Sequence, residues 1–170
     1  MMNDEEIMRA VLGLNTTYQG IFNLNELLNM IDSFFRKKGY TKHVISHEET
    51  RQKKGKKLVM RLQPYIEVKN RKLQVQVWLT IENLTDITRE IAGKKVGLNK
   101  GKVDVTIDAF VVENMRGDWE AKPQFVLIKT LMNKFLFTQK STDYKGRVKA
   151  DAIELRDEIA SFLKLNKFLF

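Results

Sequence analysis

Two segments of alternating apolar and polar residues constrain the fold of this chain more than any other feature. Residues 72–83 and 102–113 each place an apolar side chain at every second position, which is the spacing that brings side chains to one face of a β-strand. The pattern predicts two strands with ten core residues, namely Leu73, Val75, Val77, Leu79, Ile81, Val103, Val105, Ile107, Ala109 and Val111. The polar positions between them predict a second face that meets solvent or a partner.

Two further segments extend this pattern into an antiparallel meander. Residues 40–50 and 57–68 also alternate, and turn residues separate the four segments. Pro64 lacks an N–H group, so the strand that contains it should be kinked, bulged or at an edge. Residues 88–101 contain three glycines among lysines and predict a mobile excursion or a small hairpin.

Helical periodicity appears on both sides of the meander. Asn23 and Glu26 have the spacing of a helix cap, and Gly39 provides a stop signal. Pro123 suits the first turn of an apolar helix that reaches about residue 137. A last helix, about 142–163, carries an apolar stripe formed by Val148, Ala152, Leu155, Ile159 and Phe162.

These elements predict an α+β fold with an antiparallel β-meander of about four to five strands, packed against an N-terminal helix and two C-terminal helices. The length of 170 residues fits a single globular domain over 1–170. Asn3 and Glu6 resemble a capping box, which predicts a short helix to about Leu12. We expect residues 1–22 to be a loosely attached N-terminal segment.

Composition narrows the classes of protein to consider. The chain has no cysteine, which excludes a disulfide framework and any thiolate nucleophile or thiolate metal site. Its first residues are acidic where a secretory signal is basic, and no apolar run approaches the roughly 20 residues that cross a bilayer. We therefore expect a cytoplasmic protein with no membrane span.

No set of residues has the spacing of a catalytic or metal centre. His43 and His47 are four residues apart, but on a strand this separates them by about 13 Å, too far for one ion. The same distance separates Asp104 from Asp108, although Glu82 on a neighbouring strand could approach one of them. The glycines of 93–101 are not followed by the Lys-Ser/Thr pair of a phosphate loop. We expect no cofactor and no enzymatic activity.

Positive charge is concentrated in one part of the chain. Residues 36–76 hold thirteen basic and three acidic side chains, whereas the net charge of the whole chain is +9. The predicted meander divides the cations between two ends of the sheet. One end should hold Arg36, Lys37, Lys38, Lys42, Lys69, Arg71 and Lys72. The other should hold Lys53, Lys54, Lys56, Lys57, Lys94, Lys95, Lys100 and Lys102.

Clustered cations of this kind are typical of two situations. They can be solvated turn tips, or they can neutralise the phosphates of a polyanion. Trp78 and Phe110, on the polar face of the sheet, are candidates for stacking on bases. The alternative for Trp78 is that it packs beneath a helix.

Two resemblances add to these expectations. The run Leu98–Val103, followed by Trp119, Lys122-Pro123 and a closing amphipathic helix, resembles small archaeal α+β proteins of unknown function over roughly residues 24–165. That resemblance implies a fold and a cytoplasmic setting only. The order helix, meander, helix is also similar to helix-grip proteins, and this similarity implies a curved sheet around an apolar ligand.

Three functions therefore stand as hypotheses. The first is a non-enzymatic protein that binds RNA, a ribonucleoprotein or another polyanion through the basic turns. The second is a structural protein that self-assembles or docks a protein partner through the apolar helix at 124–137 and the tail Phe168–Phe170. The third is a helix-grip-like protein that binds a small hydrophobic ligand.

Overall fold

An antiparallel sheet of six strands forms one layer of the protein in our computed structural model, which describes residues 5–114 and 138–170. The elements in chain order are β1 (Glu5–Phe22), α1 (Leu24–Lys38), β2 (Val44–Gln52), β3 (Gly55–Leu62), β4 (Tyr65–Val68), β5 (Arg71–Ile91), β6 (Lys94–Asn114) and α2 (Thr138–Leu169). The strand order is β1-β6-β5-β3-β2, and β4 also pairs with β5. The α+β class and the antiparallel sheet are thus confirmed.

The central strands β5 and β6 carry the core. All ten alternating residues predicted to face inward are at most 1% exposed. Val77 lies opposite Ile107, and Leu79 lies opposite Val105. Period-two alternation identified this face correctly because, among the described elements, α2 covers one side of both strands and leaves the other uncovered.

The first helix begins and ends where the sequence predicted. The Asn23 side chain accepts a hydrogen bond of 3.1 Å from the backbone N–H of Glu26, and Gly39 ends the helix in the left-handed conformation, with φ at 86°. The face of α1 that points into the protein carries Leu27, Ile31 and Phe34.

The long carboxy-terminal helix α2 covers the sheet, where it packs against β1, β6 and β5. Val148, Ala152, Leu155 and Ile159 of the predicted stripe are fully buried. The helix is longer than predicted, with 32 residues. The other predicted carboxy-terminal helix, at 124–137, lies outside the described residues.

The amino-terminal prediction of a helix near residues 3–12 is wrong. Residues 5–22, which we expected to be loosely attached, pair with β6 over the length of β1. Register shifts between Arg9 and Leu14 interrupt the alternation of this strand and obscured it in the sequence. Gly13, at a φ of 69°, donates its N–H to Asp108 Oδ1 at 2.6 Å and fixes this irregular stretch to β6. A local cap is worth only about 1 kcal/mol, so pairing with a long neighbouring strand overrides it.

Two irregularities of the meander agree with the sequence. Pro64 lies between β3 and β4, so the predicted irregularity takes the form of a break in the strand, and the Pro64 carbonyl accepts a hydrogen bond of 3.1 Å from the Val75 N–H. Residues 88–101 adopt the hairpin alternative. Ala92 and Gly93, both with positive φ, form its two-residue turn.

The described elements follow the order strand, helix, meander, long helix, with the long helix laid across one face of the sheet. β1 is a strand in addition to the predicted meander, so the sheet has six strands where about four to five were expected. Neither described helix is both long and apolar enough to cross a membrane.

Candidate polyanion-binding surface

The structure separates the basic residues between two ends of the sheet. The helix-end cluster comprises Arg36, Lys37, Lys38, Lys42, Lys69, Arg71 and Lys72. It forms because a β-bridge between Thr41 and Tyr65 joins the exit of α1 to the start of β4. The hairpin-end cluster comprises Lys53, Lys54, Lys56, Lys57, Lys94, Lys95, Lys100 and Lys102.

Carboxylates neutralise much of the helix-end cluster. Asp32 pairs with both Arg36 and Lys42, the latter at 3.1 Å. Lys38 lies 2.6 Å from Glu154 and 3.7 Å from Asp151 on α2. Two further pairs are Arg71 with Glu113 at 3.1 Å and Lys72 with Glu67 at 3.9 Å. These pairs therefore join α1 to α2, β5 to β6 and β4 to β5.

The pKa shifts at this end have the same origin. The hydrogen bond from Lys42, assisted by Arg36, lowers the pKa of Asp32 below its usual value. The hydrogen bond to Glu154 raises the pKa of Lys38. Both shifts favour the charged forms, so these ion pairs persist throughout the physiological pH range.

Strand register brings the hairpin-end cluster together. Lys56 lies opposite Leu84 of β5, and the next residue, Thr85, lies opposite Lys100 of β6. Lys56 and Lys100 are therefore two strands apart, or about 10 Å. Lys57 and Lys102 flank Glu82, because Lys57 is 3.8 Å from its carboxylate and Lys102 is its partner in the strand register.

Few acids neutralise the hairpin-end cluster. Lys56 pairs with Glu49 and Lys57 pairs with Glu82, both at 3.8 Å. Across residues 6–113 and 143–170, no ion pair involves Lys53, Lys54, Lys94, Lys95, Lys100 or Lys102, and all six side chains are exposed. The two ends of the sheet have similar numbers of cations, but they differ in the number that remain available to an external anion.

Part of the hairpin-end cluster lies on a projecting two-stranded ribbon. β1 ends opposite Asn99 and β3 ends opposite Leu84, whereas β5 and β6 continue to pair as far as Ile91 and Lys94. Lys95 is five residues from Lys100, which places it about 17 Å farther out. The cluster is thus a broad basic edge that continues into a narrow arm, where Lys95 lies opposite Glu90 in the strand register.

Gly55 holds the Lys53-Lys54 turn close to β5. Its φ is 120°, and a Cβ atom at this position would lie 2.6 Å from the carbonyl oxygen of Leu84. Only glycine tolerates both conditions. The shallow groove beneath this turn is electrically mixed, since Arg51 and Lys56 line it together with Glu49 and Asp86. The turn and the ribbon, not this groove, carry the unpaired charge.

The polar face of the sheet displays the predicted aromatic candidates. Trp78 is 39% exposed on the face opposite α1 and α2, so it does not pack beneath either of these two helices. The Arg61 guanidinium lies 4.2 Å from the centre of the Trp78 ring, a cation–π contact. With its amide oxygen turned toward them, Gln76 accepts hydrogen bonds from the Trp78 indole N–H and from Arg61. Trp78 is therefore held in place, with part of its surface accessible.

The structure does not bring Phe110 together with Trp78. Phe110 pairs with Gln74, four residues along β5 from Trp78, so the Cα atoms of Phe110 and Trp78 are about 14 Å apart. Asp104 and Asp108 lie on the same face near these two residues, and each accepts a hydrogen bond from β1. Asp104 accepts from Asn15 at 2.9 Å, and Asp108 accepts from the Gly13 N–H. These carboxylates fix the edge strand and make the middle of this face unfavourable for phosphates.

The histidines occupy the neighbourhood of β2 without forming a metal centre there. His43 lies edge-on to Tyr65, and His47 lies 3.7 Å from Glu49. Across the described parts of the chain, no group of three or more potential ligands is close enough to hold a metal ion.

A buried polar contact between α1 and α2 was not predicted. The Tyr40 hydroxyl donates a hydrogen bond of 2.8 Å to Asp151 Oδ2, and both residues are only 6% exposed. Burial and this hydrogen bond raise the pKa of Tyr40 well above its usual value. The signal in the sequence was a carboxylate at position 151, between the buried helix positions 148 and 155, where an unpaired charge would be costly.

Comparison with known proteins adds no family to these observations: no protein-family model matches the chain, and a search of curated proteins finds no matching sequence.

Proposed function

We propose that this protein binds RNA, alone or within a ribonucleoprotein, or another polyanion, through the hairpin-end cluster, and that it does so in the cytoplasm without catalysing a reaction. The single observation that carries the proposal is the contrast between the two basic ends. Six exposed lysines at the hairpin end have no ion-pair partner in residues 6–113 and 143–170, whereas most cations at the helix end have one.

The geometry of the cluster suits a phosphate backbone. The Cα atoms of Lys56 and Lys100 are about 10 Å apart across two strands, and the ribbon carries Lys94 and Lys95 farther out. A backbone that crosses this edge would meet several lysines in succession, each of which releases a counterion when it neutralises a phosphate. Such contacts recognise charge and shape and are independent of base sequence.

Trp78 provides a secondary contact in this proposal. It lies four residues from Glu82 along β5, on the face that carries Lys57 and Lys102, or about 14 Å from their level. A single strand anchored by the lysines would reach Trp78 with an unpaired base. Stacking there would favour single-stranded RNA over a duplex.

The proposal is tested by fluorescence anisotropy with a labelled single-stranded RNA at about 50 mM salt, where phosphate contacts are strong. The informative variant replaces Lys53, Lys54 and Lys100 with glutamate. The matched control replaces Lys145, Lys149 and Lys164 on α2, which are exposed and belong to neither cluster. We expect the hairpin-end variant to bind much more weakly and the control to retain most of its affinity. Equal losses, or no binding by the unmodified protein, would contradict the proposal.

A second candidate, docking of a protein partner, is favoured by the end of α2. Phe168 is 76% exposed, and the neighbouring Leu165 and Leu169 are also exposed. Three large apolar side chains on one exposed turn mark a surface that a second chain would cover. Light scattering on the unmodified protein and on the Phe168→Ser/Leu169→Ser variant tests this candidate. A complex that is lost in the variant supports self-assembly through this surface, and a monomer in both samples contradicts it.

A further inference from the structure

A cavity separate from the hairpin-end cluster lies between α1 and the inner face of β2 and β3. Its volume is about 490 Å³, within the range of roughly 300–1,000 Å³ that small-molecule sites occupy. The helix contributes Leu28, Ile31 and Phe35, and the sheet contributes Met60 and Leu62. α2 does not line it, so this is not the space between long helix and sheet that the helix-grip similarity implies.

The cavity has an apolar interior and a charged mouth. Ile31, Phe35 and Met60 are buried, whereas the side chains of Arg36 and Lys42 are largely exposed. Val44, at the rim, is 45% exposed, an apolar surface that an occupant would remove from water. The arrangement matches a molecule with an apolar body and a polar head.

The charges at the mouth favour an anionic head. Arg36 and Lys42 both bind the Asp32 carboxylate, so these lining residues hold two cations and one anion. Asp32 itself shows that a carboxylate fits between the two cations. One Nη of Arg36 and one N–H of Lys42 suffice for Asp32, and a guanidinium and an ammonium together offer eight donors. A second carboxylate can therefore bind beside the first.

We propose that this cavity binds an anionic amphiphile, a medium-chain alkyl carboxylate, with its carboxylate on Arg36 and Lys42 and its chain against Ile31, Phe35 and Met60. This inference does not depend on polyanion binding, because it uses the opposite end of the sheet. It also gives the ion pairs of Asp32 a second role, since Asp32 competes with the ligand head for the same two cations.

Isothermal titration calorimetry with decanoate, and with 1-decanol as the uncharged comparison, tests the proposal on the full chain. We expect one saturable decanoate site with a Kd on the order of 100 µM or tighter, given the apolar surface that a ten-carbon chain can bury. Arg36→Gln/Lys42→Gln should weaken decanoate binding about tenfold and leave decanol binding unchanged. Asp32→Asn should strengthen decanoate binding severalfold, because the cations lose their internal competitor.

A matched pair of tryptophan substitutions locates the site. Val44→Trp should fill the mouth and abolish binding of both probes. Ile45→Trp, at the neighbouring residue of similar exposure that does not line the cavity, should leave binding intact. Both positions are exposed, so neither change should unfold the protein. The proposal is overturned if decanoate shows no saturation at about ten times the expected Kd, if Val44→Trp binds normally, or if charge removal affects decanol as much as decanoate.

Discussion

Replacing Tyr40 with phenylalanine removes one hydroxyl group from the contact between the end of α1 and the middle of α2. In the structure this hydroxyl donates to a buried carboxylate oxygen of Asp151 at 2.8 Å. A hydrogen bond to a charged group contributes about 1.5–3 kcal/mol. Asp151 keeps a cationic neighbour, Lys38 at 3.7 Å, so we expect a loss near the middle of that range, about 2 kcal/mol.

The magnitude can be measured by thermal and urea unfolding. For a chain of this size each kcal/mol shifts Tm by about 2–4 °C, so Tyr40→Phe should lower Tm by roughly 4–8 °C. Tyr65→Phe is the matched control, because the Tyr65 hydroxyl makes no hydrogen bond in the described parts of the chain. A Tyr40→Phe protein as stable as the Tyr65→Phe protein would refute the assignment of this contact.

The pH dependence of the same variant has a defined sign. The pKa of Tyr40 is raised in the folded protein, so its contribution to stability is complete below the unfolded pKa of about 10 and is lost as pH rises above it. The unmodified protein should therefore lose stability above that pH more steeply than Tyr40→Phe does. Equal slopes would show that the Tyr40 hydroxyl is not held in the neutral form by the fold.

Three further outcomes test the strand assignments and the aromatic contact. Val77→Asp should lower the free energy of unfolding in urea by several kcal/mol, because it buries a carboxylate without a partner. Gln76→Asp places the charge beside Arg61 and should be far milder. Similar losses for the two variants would mean that the strand faces are misassigned. Trp78→Ala should weaken binding of single-stranded RNA by about 1–3 kcal/mol in anisotropy titrations, and an unchanged affinity would remove Trp78 from the surface. Ala92→Asn should stabilise the ribbon by about 0.3–1 kcal/mol, since asparagine adopts the positive φ of Ala92 more readily than alanine does. Lower protection of the ribbon amides in hydrogen exchange would contradict this.

The elements that could be predicted from the sequence are those that neighbouring residues define and that bury only one face. The cap at Asn23, the stop at Gly39 and the alternation of Leu73–Ile81 each follow from short-range rules, and each is found where it was expected. β1 was missed for the opposite reason. Its partner β6 is about 90 residues away in sequence, and its register shifts conceal the alternation.

Only part of the candidate surface could be predicted from the sequence. The meander correctly assigned the lysines to two ends, because turn positions follow from strand order. Which cations are neutralised depends on carboxylates that are distant in sequence, such as Glu154 for Lys38 and Glu113 for Arg71. The cavity beside α1 could not be anticipated, since it arises from the separation between a helix and an edge strand.

The dependence of RNA affinity on salt tests the central claim most directly. Each phosphate neutralised on a single strand contributes about −0.7 to the slope of log affinity against log salt concentration, so roughly four to six contacts predict a slope of about −3 to −4. Reversing Lys53, Lys54 and Lys100 should make the slope less steep by about 2, while reversing Lys145, Lys149 and Lys164 should leave it unchanged. A slope near zero for the unmodified protein, or the same change in both variants, would contradict binding through the hairpin-end cluster.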